Sequence, residues 1–560
     1  MRKTTGIVVA AVLIIALVGG IYYATMLVPQ STTVTVTLPT PTSVTTKTTG
    51  PPPTTLVIDV ATDPMGFDPV TCGNDVDFMH FQNIFDTLVW YNKSDTTTFQ
   101  PRLAERWDVS SDGKTWTFYL RKNVKFSNGD PFDSYAVWYS FYRVSKMDGP
   151  ASYMIYGWMP PPFDSARFNK TVEIVDKYTI RFNLEKPYGP FLATLSTTVA
   201  SIINPRLVEE HGGIVAGEPN TWMTEHGGEV TTGPFVVKEW VHGDHVTLVR
   251  NPMYWGEKPK LEQVIIYFKG EALSRVLDIK KGAAHAVQLT GRAINDVLDS
   301  PGVVVMRAGH SFNIEYLYFD VTKFPYNITE VRRAIAHAIN YDAVMNSAFA
   351  GYAQPFVGPN PKGMLGHDES MRPYQYDPEL SKQLLAKAGF PGGKGLPTLK
   401  FVYPTGRPST VLSAQQIQAD LTSIGLDVEL VGLTDVTWVN LCYAIPHSDP
   451  RYPSFSMARW MPDFADPDNY AYSYLYPGLQ QNLAQYNNTR VTKLLEEAKN
   501  IVDKSQREKL YFEINKIVYD EVPYIWLAQY EGIFVMRDNV HGYYYNPMLT
   551  LFDFREIWLS

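Results

Sequence analysis

An uncharged stretch of 23 residues, Gly6 to Val28, follows Arg2 and Lys3 and decides where the rest of the chain must fold. Ile7 to Val18 within it carries no polar side chain. A helix of that length crosses about 30 Å of hydrocarbon, and basic residues ahead of it stay on the cytoplasmic side. The stretch reads as an uncleaved N-terminal anchor, with a cleaved signal peptide or a pilin-type cut after Gly6 as alternatives. No cysteine directly follows it to accept a lipid. Residues 30–55 then hold twelve Thr, five Pro and a single charge, a composition that cannot bury enough surface to order itself. Thr/Pro tracts of this kind act as extended, often O-glycosylated stalks. The fold must therefore be built from about residue 56 onward, outside the cytoplasm. Four N-x-S/T sequons, at Asn92, Asn169, Asn327 and Asn487, are permissive for glycosylation there.

The remaining five hundred residues read as mixed α/β. Hydrophobic residues make up 45% of the chain, ample for a sizeable core, and a net charge of -8 argues against wrapping nucleic acid. Alternation of apolar residues predicts strands over Leu56–Val60, Thr115–Leu120 and Thr179–Leu184, with further strands at Val246–Val249 and Val264–Phe268. Asp112-Gly113 is a hairpin-type turn before the second of these. Asp377-Pro378 caps a helix that Gly389 stops. Val411 to Ile424 and Val491 to Ile501 show helical stripes, and Ser505 with Glu508 predicts a capping box opening another helix. Leu426–Leu430 reads as a strand. Two copies of Glu-His-Gly-Gly, at 210–213 and 225–228, punctuate loops.

No catalytic constellation is present. The chain lacks G-x-S-x-G, H-E-x-x-H and G-x-x-x-x-G-K-[ST]. Two cysteines exclude a disulfide-stapled scaffold and a four-thiolate zinc site. His242 and His245 flank a Gly-Asp turn rather than a metal. Asp463, Asp466 and Asp468 lack the glycine and distal Glu of a calcium loop. The expectation is no enzyme, no cofactor and no metal.

Residues 104–144, AERWDVSSDGKTWTFYLRKNVKFSNGDPFDSYAVWYSFYRV, resemble the signature region of extracellular solute-binding proteins of family 5, the peptide- and nickel-type binding proteins of ABC importers. The sequence departs from that pattern at Ser134-Tyr135-Ala136. Further landmarks follow in order: Gly233-Pro234-Phe235, Arg250-Asn251-Pro252, Val331-Arg332-Arg333-Ala334-Ile335, Tyr376-Asp377-Pro378-Glu379, and Asp463-Phe464-Ala465-Asp466-Pro467-Asp468. The resemblance implies a two-lobed fold of the periplasmic-binding-protein type II kind with an inserted domain, the ligand enclosed by hinge closure. Lobe one would comprise 56–88, 232–320 and 540–560, the inserted domain 89–231 and lobe two 321–539. The anchor at 1–28 and linker at 29–55 look like the tethers of archaeal importers.

The same resemblance implies a monomer that binds di- or oligopeptides and delivers them to membrane permease subunits; an oligosaccharide, nickel or another solute is the alternative cargo. Asp463 falls where peptide-binding members place the carboxylate that meets the α-amino group. Arg407, in Tyr403-Pro404-Thr405-Gly406-Arg407-Pro408, falls where dipeptide binders place the guanidinium that grips the C-terminal carboxylate. Trp438, Tyr443, Trp460 and Tyr470 lie near these segments, where they could stack on a sugar or serve as core. Cys72 and Cys442 would fall in different lobes, so a bond between them would prevent opening, and both are expected to be free thiols.

Overall fold

Two strands longer than the rest, Val303–Phe319 and Tyr524–Arg537, pair antiparallel along their length and hold the architecture together. The computed structural model describes residues 54–560 apart from 72, 150, 162, 163 and 550. The expected anchor, nearly all of the Thr/Pro linker and Cys72 lie outside the described residues. Among the described residues no helix is long and apolar enough to cross a membrane.

The long pair sits in the middle of an 11-stranded sheet. On one side Tyr524–Arg537 passes to Ala286–Val287, Thr55–Val60, Gln263–Phe268, His245–Arg250 and Phe235–Val241 in turn. On the other, Val303–Phe319 passes to Phe455–Trp460, Leu399–Pro404 and Val428–Leu433. The ladder between the long strands shifts register between Arg307 and Ile314. Such bulges bend and twist a strand, and here they fall between the two halves of the sheet. The result is a two-lobed α/β fold whose lobes share a pair of continuous strands.

Side-chain alternation gives the second lobe two cores. Leu317, Phe319, Phe455 and Met457 face one way; Ile314, Tyr316, Tyr318 and Ala458 face the other. A separate four-stranded sheet, ordered Ala104–Val109, Thr115–Leu120, Thr179–Asn183, Val172–Asp176, lies within residues 89–231. Its Trp116, Phe118, Leu120, Ile180 and Phe182 are buried on one face, as their spacing predicts.

Helix ends follow the local sequence with one exception. Asp377 accepts the Leu380 N–H at 2.8 Å and caps Pro378–Lys387. The helix Lys504–Glu521 is capped by Asp503, which accepts the Gln506 N–H at 2.9 Å, and not by Ser505. The Ser505 hydroxyl instead donates to Asp503 at 2.7 Å. The strand expected at Leu426–Leu430 is Val428–Leu433. All four sequon asparagines are exposed.

Candidate functional site

Leu399–Pro404 runs parallel to Val428–Leu433, and its Val402 pairs in the same sense with Ser456 of Phe455–Trp460. The chain therefore leaves all three strands at one edge of the sheet. In open α/β sheets the crevice beyond the carboxyl ends of the strands is where ligands bind. From the first strand emerges Thr405-Gly406-Arg407-Pro408. Gly406 has no room for a side chain, because a Cβ would lie 2.4 Å from the Asp435 carboxylate. That carboxylate instead accepts the Gly406 N–H at 3.1 Å. Arg407 stands at the N-cap of Pro408–Ser423. From Phe455–Trp460 emerges Met461-Pro462-Asp463.

Arg407 is exposed. Loss of hydration lowers its guanidinium pKa, and Arg459 lowers it further; Tyr530, Asp75 and Glu315 act the other way. Asp75 begins the helix Asp75–Ile84, far from Arg407 in the chain, and its carboxylate acts on Arg407 through space. Glu315 and Arg459 are cross-strand neighbours. Glu315 is buried, which raises its pKa, and it accepts the Tyr530 hydroxyl at 2.7 Å.

Asp463 is half-buried and makes no ion pair among the described residues. Burial raises its carboxyl pKa to about 6, against the lowering effect of hydrogen bonds from Asn469 and Tyr153. Asn469 Nδ2 donates to its Oδ2 at 2.6 Å and Asn469 Oδ1 accepts its backbone N–H at 3.0 Å. Trp460 Nε1 shares that Oδ1 at 3.2 Å. Tyr153, which bonds to the Asp463 side chain, comes from the segment 89–231.

Residues 98–482 match the family described as bacterial extracellular solute-binding proteins, family 5. The chain belongs to that family. Among curated relatives it is 32% identical over 505 residues, 88% of this chain and 92% of the other, to the "Probable D,D-dipeptide-binding periplasmic protein" of Escherichia coli K12. It is 28% identical over 508 residues, 88% and 90% of the two chains, to heme-binding protein A of Haemophilus influenzae. Among solved structures it resembles an ABC transporter-associated periplasmic binding protein of Helicobacter pylori in complex with the peptide STSA. That likeness has a TM-score of 0.74 and 28% identity over 90% of this chain and 98% of the other.

Within this solute-binding protein the neighbouring carboxylates do a different job. Asp466 receives both arms of buried Arg507, at 2.7 and 2.6 Å. Asp468 accepts the Tyr188 hydroxyl at 2.7 Å, with Lys499 4.0 Å away. Of the four aromatic candidates, Trp438 and Tyr470 are buried in the hydrophobic core of residues that includes Ile314 and Tyr316. Trp438 Nε1 donates to Ser456 Oγ at 2.9 Å, and the Tyr470 hydroxyl to the Phe312 carbonyl at 2.6 Å. Tyr443 and Trp460 are half-buried, Tyr443 edge-on to Trp438 at 6.0 Å and Trp460 edge-on to Tyr474 at 5.8 Å. Cys442 is a free, buried thiol whose pKa burial pushes up to about 12. Among the described residues no group of three His, Cys, Asp or Glu side chains is arranged to hold a metal.

Sequence reasoning missed Asp75, Tyr153, Glu315, Arg459 and Tyr530. The alternation in Asn313-Ile314-Glu315-Tyr316-Leu317-Tyr318 marks a strand with an acid on the face that also carries Leu317, and that is the only local signal among them.

Proposed function

We propose that this protein captures short peptides outside the cell and passes them, chemically unchanged, to the permease of an ABC importer. The observation that carries the reading is a pair of opposite, unneutralised charges, Asp463 and Arg407, leaving one edge of the sheet toward the opposite lobe. A zwitterionic peptide complements both: its α-ammonium suits a desolvated carboxylate, and its terminal carboxylate suits a guanidinium fork. The peptide-binding relatives support the same ligand class. Gly6–Val28 and the Thr/Pro tract would tether the binding lobes near the permease, and the exposed sequons would be open to glycosylation.

Calorimetry tests this with unmodified, N-acetylated and C-amidated peptides of two to four residues. Both blocked series are expected to bind more weakly than the unmodified one. Asp463→Asn should cost about 2 kcal/mol or more for unmodified peptides, the range for a hydrogen bond to a charged group. Equal affinity for blocked and unmodified peptides would overturn the reading.

A further inference from the structure

Asp463 is held in place without being neutralised. Asn469, which holds it, is only 2% exposed, and its carboxamide meets three groups at once. Nδ2 donates to Asp463 Oδ2 at 2.6 Å, while Oδ1 accepts the Asp463 backbone N–H at 3.0 Å and the Trp460 indole N–H at 3.2 Å. Two N–H donors converging on one end of an amide require its oxygen there, so the nitrogen must face the carboxylate. The main chain and the side chain of Asp463 are thereby tied to one planar group, together with the ring of Trp460.

Asn469 is itself fixed from behind. It ends the short turn Pro467–Asn469. Its N–H donates to the Asp466 carbonyl at 3.0 Å, and Asp466 Oδ1 accepts the Asp468 N–H at 2.9 Å. Both arms of buried Arg507 grip the same Asp466 carboxylate. A line of hydrogen bonds thus runs from a buried ion pair through Asn469 to the carboxylate beyond the sheet edge. A cation in place of Asn469 would hold Asp463 as firmly, but it would cancel the charge that an ammonium seeks. A neutral amide orients the carboxylate and favours its ionised form. A carboxylate oriented before the ligand arrives also loses less rotamer freedom on binding.

We infer that Asn469 is the positioning residue of the α-ammonium site, acting on the peptide through Asp463. The inference rests on the peptide reading and goes beyond it by adding a residue that itself touches no ligand.

The test is calorimetry on the full chain with unmodified and N-acetylated peptides of two to four residues. The unsubstituted protein is expected to bind each unmodified peptide at least about tenfold more tightly than its acetylated partner. Asn469→Ala should shrink that ratio below about threefold by weakening the unmodified peptide and leaving the acetylated one nearly unchanged. A change in packing alone would weaken both alike. In an Asp463→Asn background the same substitution should alter affinity less than about twofold, because the two residues act as one unit. Asn469→Ser keeps one hydroxyl in place of the amide and should give an intermediate ratio; it carries the test if thermal unfolding shows that Asn469→Ala has not folded. A ratio that survives the substitution, equal weakening of both peptides, or an undiminished effect in the Asp463→Asn background overturns this inference and leaves the peptide reading standing. Equal binding of unmodified and acetylated peptides by the unsubstituted protein overturns both.

Discussion

Arg507 and Arg407 meet opposite electrostatic fates. Burial alone would lower the Arg507 pKa, but the Asp466 carboxylate overrides it and the net shift is upward. Arg407 has no such partner; lost hydration and Arg459 both lower it. The carboxylates repeat the contrast three residues apart. Asp466 is engaged by two arms of Arg507, whereas Asp463 is held only by an amide and a phenol. Charges that hold the fold together are satisfied within it. Charges at the groove are left for something else to satisfy, at some cost to the empty protein.

The largest effect that would break this comparison is at the satisfied end. Arg507→Ala should destabilise the protein by about 3–5 kcal/mol, because it strands a buried carboxylate. Chemical or thermal unfolding reads this directly, and a loss under about 1 kcal/mol would mean that the pair is no more than a surface contact. A smaller effect is expected beside it. Tyr188 comes from the segment 89–231 and bonds to Asp468, 280 residues further along the chain, with both side chains buried. Tyr188→Phe keeps the ring and removes one hydrogen bond to a charged acceptor, worth about 1.5–3 kcal/mol. Unchanged unfolding of that variant would show that water replaces the phenol without loss.

The legible parts of the fold were those set by short-range rules. The period-two burial of Thr115–Leu120 and the Asp377-Pro378 cap are both written in consecutive residues. The long strands were not read as such, because Val303–Phe319 mixes half-exposed and fully buried stretches and no single period runs through it. At the proposed site, Asp463 and Arg407 are reached only through family resemblance, and their placement beyond one edge of the sheet depends on strand order. Glu315 and Tyr530 come from chain segments far apart, and only the register of the central strands brings them near Arg459; Asp75 lies on a helix outside that register. Trp438 and Tyr470 lie near the proposed site residues in sequence, and both are buried in the core with Ile314, Tyr316 and Ala458, a placement no local pattern announces.

The smallest effect sharpens the comparison most, because it separates the two carboxylates without changing the fold. The Asp463 pKa is raised, to about 6, above the ordinary value of 3.8. The folded empty protein therefore keeps a proton there that the unfolded chain has released. Its contribution to stability is present below pH 3.8, declines as pH rises through 6 and is absent above that. Asp463→Asn should consequently raise the melting temperature of the empty protein at pH 8 and have little effect near pH 4. Peptide binding runs the other way, since the α-ammonium requires the ionised carboxylate. Affinity should fall about tenfold between pH 7 and pH 5, the shift expected when one group protonates, and Asp463→Asn should flatten that profile. A pH-independent affinity in the unsubstituted protein would show that Asp463 stays ionised when empty, and that it is as well satisfied as Asp466.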